Sequence, residues 1–304
     1  MMTGQLYIDG KDVFQEFGFG ILKGGHNELL AYPPLKTAKY NDWQEFDGIE
    51  ADLSNPVLDT RSVSIKFGDW RNIRGLGDFV GLLSDGAYHT FYFGLLKRKY
   101  RLRLVSHPNM DWAQKLGFIT LKFADDFPLN DYTYKAPKSG ISAYGDYAID
   151  DKLLSDYGVR VLKGTLASID KSPDVKQNLL RNINSISGAE YDSKRVTFKS
   201  KEVQINCLMR AESMEEFWRN YDALLYDLTR PDERRLFVDA RGKEYPCYYK
   251  SCKTNEFFPT GKIWWEFTLT LVFTNYRLQG KIQTLRLVSD GTFRLTSDGN
   301  LRLT

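Results

Sequence analysis

An internal repeat constrains this chain of 304 residues more than any other feature of its sequence. Residues 17–67 align without gaps onto residues 157–207 at a constant offset of 140, and eleven of the 51 aligned pairs are identical. Chance would give about three identities at typical residue frequencies. Self-similarity over such a length is typical of a duplicated structural unit. The sequence therefore predicts two tandem copies of one fold.

Seven of the eleven identities fall on glycines, on lysines and on one alternating strand. We expect Gly18/Gly158 and Gly48/Gly188 to occupy equivalent turns with positive φ, where a residue without Cβ is favoured. The identical glycines and lysines are Gly18/Gly158, Gly24/Gly164, Gly48/Gly188, Lys23/Lys163 and Lys36/Lys176. The alternating strand carries Val63, Ile65 and Phe67 in the first copy and Val203, Ile205 and Cys207 in the second. A period of two is typical of a sheet with one buried face.

One helix is predicted in each copy, after the alternating strand. In the second copy Ser213 and Glu216 have the spacing of a capping box, and Pro231 marks the end of the helix. The first copy has a shorter counterpart around residues 78–83, with several glycines nearby. Further aromatic-rich strands follow each helix. Aromatic residues are 14% of the chain, a share that favours strands.

These patterns predict a mainly β fold with minor α content, built from two antiparallel split-barrel modules that each carry a flanking helix. We place the first module at residues 1–135 and the duplicated module at 136–280, with a linker rich in Asp, Pro and Gly over 124–146. Residues 281–304 contain an eight-residue repeat with two Asp-Gly turns, which predicts a three-stranded β-meander.

Composition and motifs exclude several classes of function. The net charge is only +3, so we expect no nucleic-acid partner. The N-terminus lacks a signal-peptide pattern, and no apolar run is long enough for a transmembrane helix. We therefore expect synthesis in a cytoplasm without secretion or membrane insertion. The three cysteines are too few for a disulfide framework.

No catalytic, cofactor or metal motif is present in the sequence. Neither a P-loop nor a zinc-ligand spacing nor a serine-hydrolase elbow occurs. The acidic residues near the linker lack regular loop spacing and His or Cys partners, which favours a solvated loop. We expect no enzyme activity and no cofactor. The tryptophans could stack on sugar rings, although aromatic side chains more often pack in cores or subunit contacts.

The N-terminal region resembles siphophage distal tail proteins. The likeness rests on residues 8–13 (Ile-Asp-Gly-Lys-Asp-Val), on residues 43–53 (Trp-Gln-Glu-Phe-Asp-Gly-Ile-Glu-Ala-Asp-Leu) and on the alternating strand that follows. It covers the whole first copy and extends more faintly to residues 188–192. In that family the barrel module forms a ring that joins the tail tube to the baseplate or tip. Those proteins usually carry one such barrel, whereas two tandem barrels are the plan of tail hub proteins.

The resemblance implies a structural protein of a phage or prophage tail that localises to the virion. We expect it to form a ring, as a trimer of pseudo-sixfold character or as a hexamer, and to contact the tail tube and the hub or tip. Strand edges that remain open invite pairing with another chain. We therefore expect the subunit contact near Val63, Ile65, Phe67, Val203 and Ile205. The alternative is a carbohydrate-binding adhesin module on a tail tip or cell surface.

Overall fold

The computed structural model describes residues 4–70, 75–113, 116–129, 132–140, 147–177 and 196–276, together with 180–181, 184–185, 187–188 and 190–191. Within these residues the fold is mainly β, with a sheet curled into a half-barrel and further sheets beside it, as the sequence predicts. The expected meander over 281–304 lies outside the described residues, and so does part of the linker.

The first module contains one seven-stranded antiparallel sheet in the order β2-β1-β7-β8-β9-β6-β3. Its strands are β1 (Leu6–Ile8), β2 (Lys11–Asp12), β3 (Phe19–Ile21), β6 (Arg61–Asp69), β7 (His89–Phe93), β8 (Arg98–Ala113) and β9 (Leu116–Asp125). A small hairpin pairs β4 (Tyr40–Asn41) with β5 (Glu50–Ala51). The helices are α1 (Val13–Phe17) and α2 (Leu76–Leu83).

The second module contains a seven-stranded antiparallel sheet in the order β11-β10-β16-β17-β18-β15-β12. Its strands are β10 (Tyr147–Ile149), β11 (Lys152–Leu153), β12 (Val159–Val161), β15 (Lys201–Ala211), β16 (Arg234–Val238), β17 (Lys243–Phe258) and β18 (Ile263–Phe273). A small hairpin pairs β13 (Leu180–Arg181) with β14 (Glu190–Tyr191). The helices are α3 (Thr165–Asp170) and α4 (Met214–Leu228). Taken in chain order, the strands occupy matching positions in the two sheets.

A cation at the start of the alternating strand anchors the same turn in both modules. The Arg61 guanidinium donates to the carbonyls of Leu29 and Ala31. At the offset of 140, the Lys201 ammonium donates to the carbonyls of Ile169 and Lys171. These carbonyls end short helical turns, where backbone acceptors lack partners within the helix. In both modules the segment that follows this turn therefore starts at a fixed position beside the first residue of the alternating strand.

The alternating strands lie inside the sheets rather than at their edges. β6 pairs with β9 on one side, and on the other side with β3 and the turn that follows β3. β15 is placed in the same way between β18 and β12. The edge position expected for these strands is therefore wrong, because a short strand from the start of each module returns to cover them. The side chains expected at a subunit contact are all in the core: Val63, Ile65, Phe67, Val203 and Ile205.

Helix α4 begins where the capping-box spacing predicts. The Ser213 hydroxyl accepts a hydrogen bond from the Glu216 amide at 3.1 Å. The Glu216 carboxylate in turn accepts one from the Glu212 amide at 3.1 Å. The helix packs its apolar face against the second sheet, and the buried side chains of both modules belong to one continuous apolar cluster. The boundaries expected at residues 135 and 280 stay predictions.

Replacing the cap residue should destabilise the protein measurably. We expect Ser213→Ala to lower the free energy of unfolding by about 1 kcal/mol, because the Glu216 amide loses its acceptor. Denaturant unfolding followed by circular dichroism measures the change. The matched control is Ser106→Ala at an exposed position of β8, which should change stability by less than about 0.5 kcal/mol. Equal effects of the two substitutions would contradict the capping role.

Candidate functional site

The contact between the two modules is the most elaborate polar and aromatic site in the described part of the chain. It is made mainly by the first arm, which we define as residues 31–59, between the anchored turn and β6. This arm lies across the second module. Its Leu35 amide donates to the Lys250 carbonyl of β17 at 2.9 Å. The arm carries hairpin β4–β5 and ends at the start of β6.

Tyr32, at the beginning of the first arm, inserts into an aromatic pocket of the second module. Its side chain is fully buried, with ring centroids 4.4 Å from Tyr221 and 5.3 Å from Trp265. Its hydroxyl donates to the Tyr221 carbonyl at 2.9 Å. Tyr249 of β17 completes the contact by donating to the Pro33 carbonyl at 2.9 Å. Burial raises the pKa of Tyr32, Tyr221 and Tyr249, so these phenols stay protonated and available as donors.

The tip of the first arm is held by a socket on the second module, which we define as Lys176, Thr197 and Phe198. Lys176 is almost completely buried, and its ammonium donates to the carbonyls of Trp43 at 2.8 Å and Gly48 at 2.5 Å. An Asp42 carboxylate oxygen lies 2.5 Å from the same nitrogen. An ammonium has three donors, and all three are used here. Burial of such a charge is tolerated because it is fully coordinated.

Backbone groups of Phe198 form further hydrogen bonds with the tip of the first arm. The Phe198 amide donates to the Asp47 carboxylate at 2.9 Å, and the Phe198 carbonyl accepts from the Gly48 amide at 2.7 Å. Gly48 has φ +74° and is buried, and a Cβ on it would lie 1.6 Å from the Thr274 carbonyl oxygen. Two independent constraints therefore require glycine at this position: its positive φ and the close approach of the Thr274 backbone.

A second contact joins the end of the β7–β8 hairpin to helix α4. The Arg98 guanidinium donates two hydrogen bonds to the Asp222 carboxylate, at 3.1 and 3.0 Å. The same guanidinium lies 4.2 Å from the centre of the Trp218 ring, and the Trp218 indole donates to the Leu96 carbonyl at 2.7 Å. Burial raises the pKa of Asp222, an effect that Arg98 opposes. Two-point pairing of this kind fixes orientation as well as distance.

The repeat glycines have different environments in spite of their common backbone conformation. All six have positive φ: Gly18, Gly24, Gly48, Gly158, Gly164 and Gly188. Gly18 and Gly158 end short helical turns, and Gly24 and Gly164 lie just before the anchored turns. Gly48 is buried in the socket, whereas Gly188 is exposed and a Cβ on it would meet no described atom within 4 Å.

The acidic residues near the linker, which the sequence predicts to lie in a solvated loop, include the buried Asp125, and those that the structure describes include members of ion pairs. Asp125 pairs with Arg61, and Asp150 pairs with Arg234. No group of three or more His, Cys, Asp or Glu side chains able to hold a metal is found among the described residues. Asp131, Asp146 and the side chain of His107 lie outside that part of the chain.

The cysteines are buried or partly buried. Burial raises the pKa of Cys207, and it raises the pKa of Cys247 and Cys252 to about 12. The three thiols therefore stay protonated at neutral pH, which makes them weak nucleophiles. Within the described residues, no helix has the length and apolar character needed to cross a membrane.

The three most exposed aromatic side chains among the described residues lie on hairpin β4–β5 or in its loop, at the tip of the first arm. Tyr40, Trp43 and Phe46 are 55%, 53% and 64% exposed. The neighbouring tryptophans of β18 behave as the alternation predicts, with Trp265 fully buried and Trp264 partly exposed. The side chain of Trp112 lies outside the described residues. The arm tip therefore presents the three most exposed aromatic side chains of the described residues to solvent.

Sequence reasoning missed the socket, although the repeat contained a signal for it. Lys36 and Lys176 are an identical pair, and a lysine retained at one position of two diverged copies suggests a common requirement. Tyr32 carried no such signal, because its counterpart in the second copy is Ser172.

Removal of the Tyr32 ring should uncouple the modules. We expect Tyr32→Ala to lower the free energy of unfolding by about 3–5 kcal/mol, as for other large buried aromatic truncations. Tyr32→Phe should lower it by about 1 kcal/mol through loss of one hydrogen bond. Guanidinium unfolding measures both. The control is Tyr40→Ala, at an exposed position of the same arm. An equal decrease in the free energy of unfolding in that variant would contradict the role of the buried Tyr32 ring in joining the modules.

The two repeat-equivalent lysines should differ in their effect on the monomer. We expect Lys176→Met to lower the free energy of unfolding by about 1–3 kcal/mol, because the carbonyls of Trp43 and Gly48 lose their donor. Lys36→Met, at the equivalent exposed position, should change it by less than about 0.5 kcal/mol. Thermal and denaturant unfolding at low protein concentration measure both values. A larger effect at Lys36 would contradict the assignment of the socket.

Comparison with known proteins gives a partial structural likeness and no family or sequence match. No model of a known protein family matches the chain. No curated protein matches it either. Among solved structures, the fold is similar to the Dit protein (gp 19.1) of SPP1, described as a paradigm of the hub adsorption apparatus in phages that infect Gram-positive bacteria. The two chains are 13% identical with a TM-score of 0.31, and the match covers 43% of this chain. It spans about half of that protein, at 49% of its length.

Proposed function

We propose that this protein is a non-enzymatic structural component of a phage or prophage tail, where it forms part of a ring between the tail tube and the tip. The observation that carries the proposal is the contact between the modules. One chain holds two sheets of the same strand order and joins them by an arm that reaches from the first to the second. Such a head-to-tail contact is the kind that generates rings when it is repeated between subunits.

The chemistry of the contact also supports an assembly role. It combines the buried Tyr32 ring, a coordinated ammonium and a paired guanidinium, and buried tyrosine and arginine side chains are among the groups that dominate stable protein interfaces. The clefts next to it are lined by groups that already have structural partners, such as Arg61, Arg98 and Asp125. The resemblance of residues 8–13 and 43–53 to distal tail proteins supports the tail as the location.

The experiment that tests this function is reconstitution with tail components from the same genome. The purified full chain is mixed with tail-tube protein and with the hub or tip protein, and complexes are measured by light scattering and negative-stain electron microscopy. We expect rings or ring-capped tubes. Lys262→Ala, at an exposed ion pair with Glu212, is the matched variant that should assemble normally. A protein that remains monomeric in every mixture would contradict the proposal.

The cluster of exposed aromatic side chains favours one second candidate, glycan binding. Tyr40, Trp43 and Phe46 all lie on hairpin β4–β5 or in its loop, and aromatic faces stack on sugar rings. Calorimetric titration with cell-wall glycans tests it, with Trp43→Ala as the variant and Trp70→Ala as the control. The structural proposal predicts no saturable binding. Binding that Trp43→Ala abolishes and Trp70→Ala retains would favour the adhesin candidate.

A further inference from the structure

The second module carries an arm of its own that matches the first arm. We define the second arm as residues 171–199. Its hairpin pairs Leu180 with Tyr191, and the first hairpin pairs Tyr40 with Ala51, so the offset of 140 holds for both partners. The described parts of the second arm thus reproduce the backbone pairing of the first.

The first module carries a socket that matches the one described above. We define the first-module socket as Lys36, Val57 and Leu58, the counterparts of Lys176, Thr197 and Phe198. In the second module the Lys176 amide donates to the Thr197 carbonyl at 2.8 Å. In the first module the Lys36 amide donates to the Val57 carbonyl, also at 2.8 Å. The frame of the first-module socket is therefore already formed in the isolated chain.

This framework directs the remaining backbone groups outward. The isolated bridges pair Leu35 with Leu58 and Val175 with Phe198. In each bridge the hydrogen bonds are made by the flanking residues, so the amide and carbonyl of the bridge residue itself point away from its partner. At Phe198 both groups are used by the first arm. At Leu58 neither group has a hydrogen-bond partner among the described residues.

Within the described residues, the first arm therefore occupies the socket of the second module, whereas the second arm does not contact the first-module socket. Gly48 is buried against Lys176, whereas Gly188 is exposed with no described atom near its Cβ position. Lys176 is buried, whereas Lys36 is exposed. The second set keeps the lysine of the first contact and changes its other side-chain groups, with Asn182 in place of Asp42. Ser187 stands in place of Asp47 and can accept from an amide in the same way, while Val57 lacks the hydroxyl of Thr197.

We propose that the second arm of one chain docks in the first-module socket of a second copy, with Gly188 against Lys36. The Lys36 ammonium donates to the Gly188 carbonyl, and the Gly188 amide donates to the Leu58 carbonyl. The occupant is a second copy, because the chain's own second arm matches the first arm in sequence position and, in its described residues, in hairpin pairing. The contact is head-to-tail, since the socket and the arm belong to different modules.

This inference deepens the proposed function by naming the subunit contact of the ring, and it rests on that function for its biological setting. Ser172 replaces Tyr32 in the second arm, so the contact between chains lacks the aromatic plug. We therefore expect it to be weaker than the contact within one chain. A reversible contact of this kind lets the chain fold as a monomer and assemble at higher concentration.

The test is self-association of the full-length protein, measured by analytical ultracentrifugation and mass photometry over a range of concentrations. Lys36→Met removes the socket ammonium. Gly188→Asn keeps a residue that tolerates positive φ and adds a side chain where the backbones must approach. We expect each variant to weaken association about tenfold or more, the factor for one charge-assisted hydrogen bond. Melting temperatures at low concentration should equal that of the wild type, which separates loss of association from loss of folding.

Mixing the two variants gives the sharper result. The Lys36→Met chain keeps an intact Gly188, and the Gly188→Asn chain keeps an intact Lys36, so one full-strength contact forms between them. We expect 1:1 dimers that grow no further, while the double variant forms dimers with neither. The proposal is overturned by wild-type protein that stays monomeric at its highest soluble concentration, by single variants that associate normally, or by a mixture that stays monomeric. These results are independent of tail proteins, so a failed reconstitution would overturn the proposed function and leave this contact standing.

Discussion

The buried ammonium of Lys176 is the interaction on which the arrangement of the two modules depends. A charge in the protein interior is strongly unfavourable unless its donors are satisfied, and here the partners come from the arm of the other module. The arm supplies the carbonyl and carboxylate partners of this side chain, and the lysine in turn ties down the arm tip together with Phe198. Coordination by carbonyls at fixed positions makes the contact specific in register as well as stable.

Tyr32 and the socket stabilise the interface between the modules by different interactions. Tyr32 supplies apolar burial next to the anchored turn, where Arg61 fixes the start of the arm. Lys176 and Phe198 supply directed hydrogen bonds at the tip, where Gly48 permits the close approach. The pair of Arg98 and Asp222 ties the β7–β8 hairpin of the first module to helix α4 of the second, away from the arm. Three separated points of attachment define one orientation of the modules.

Much of the fold could be predicted from the sequence because its signals are local. Alternation located β6 and β15, and the capping box located the start of α4 at Ser213. The prediction that β6 and β15 are edge strands failed because β3 and β12 pair beside them. The spatial neighbour of a strand is not encoded in its own pattern. The socket was missed for a related reason. A lone lysine such as Lys176 normally predicts an exposed side chain, and its burial depends on carbonyls more than a hundred residues away.

The central claim is that arms engage sockets in one direction, first within the chain and then between chains. A photo-crosslinking amino acid at Ser187, in a mixture of isotopically light and heavy chains, measures this most directly. Mass spectrometry then identifies which peptide of which chain is captured. We expect light-to-heavy links from residue 187 to the segment around Lys36 and Leu58. Links confined to a single chain, or links between two second arms, would contradict it.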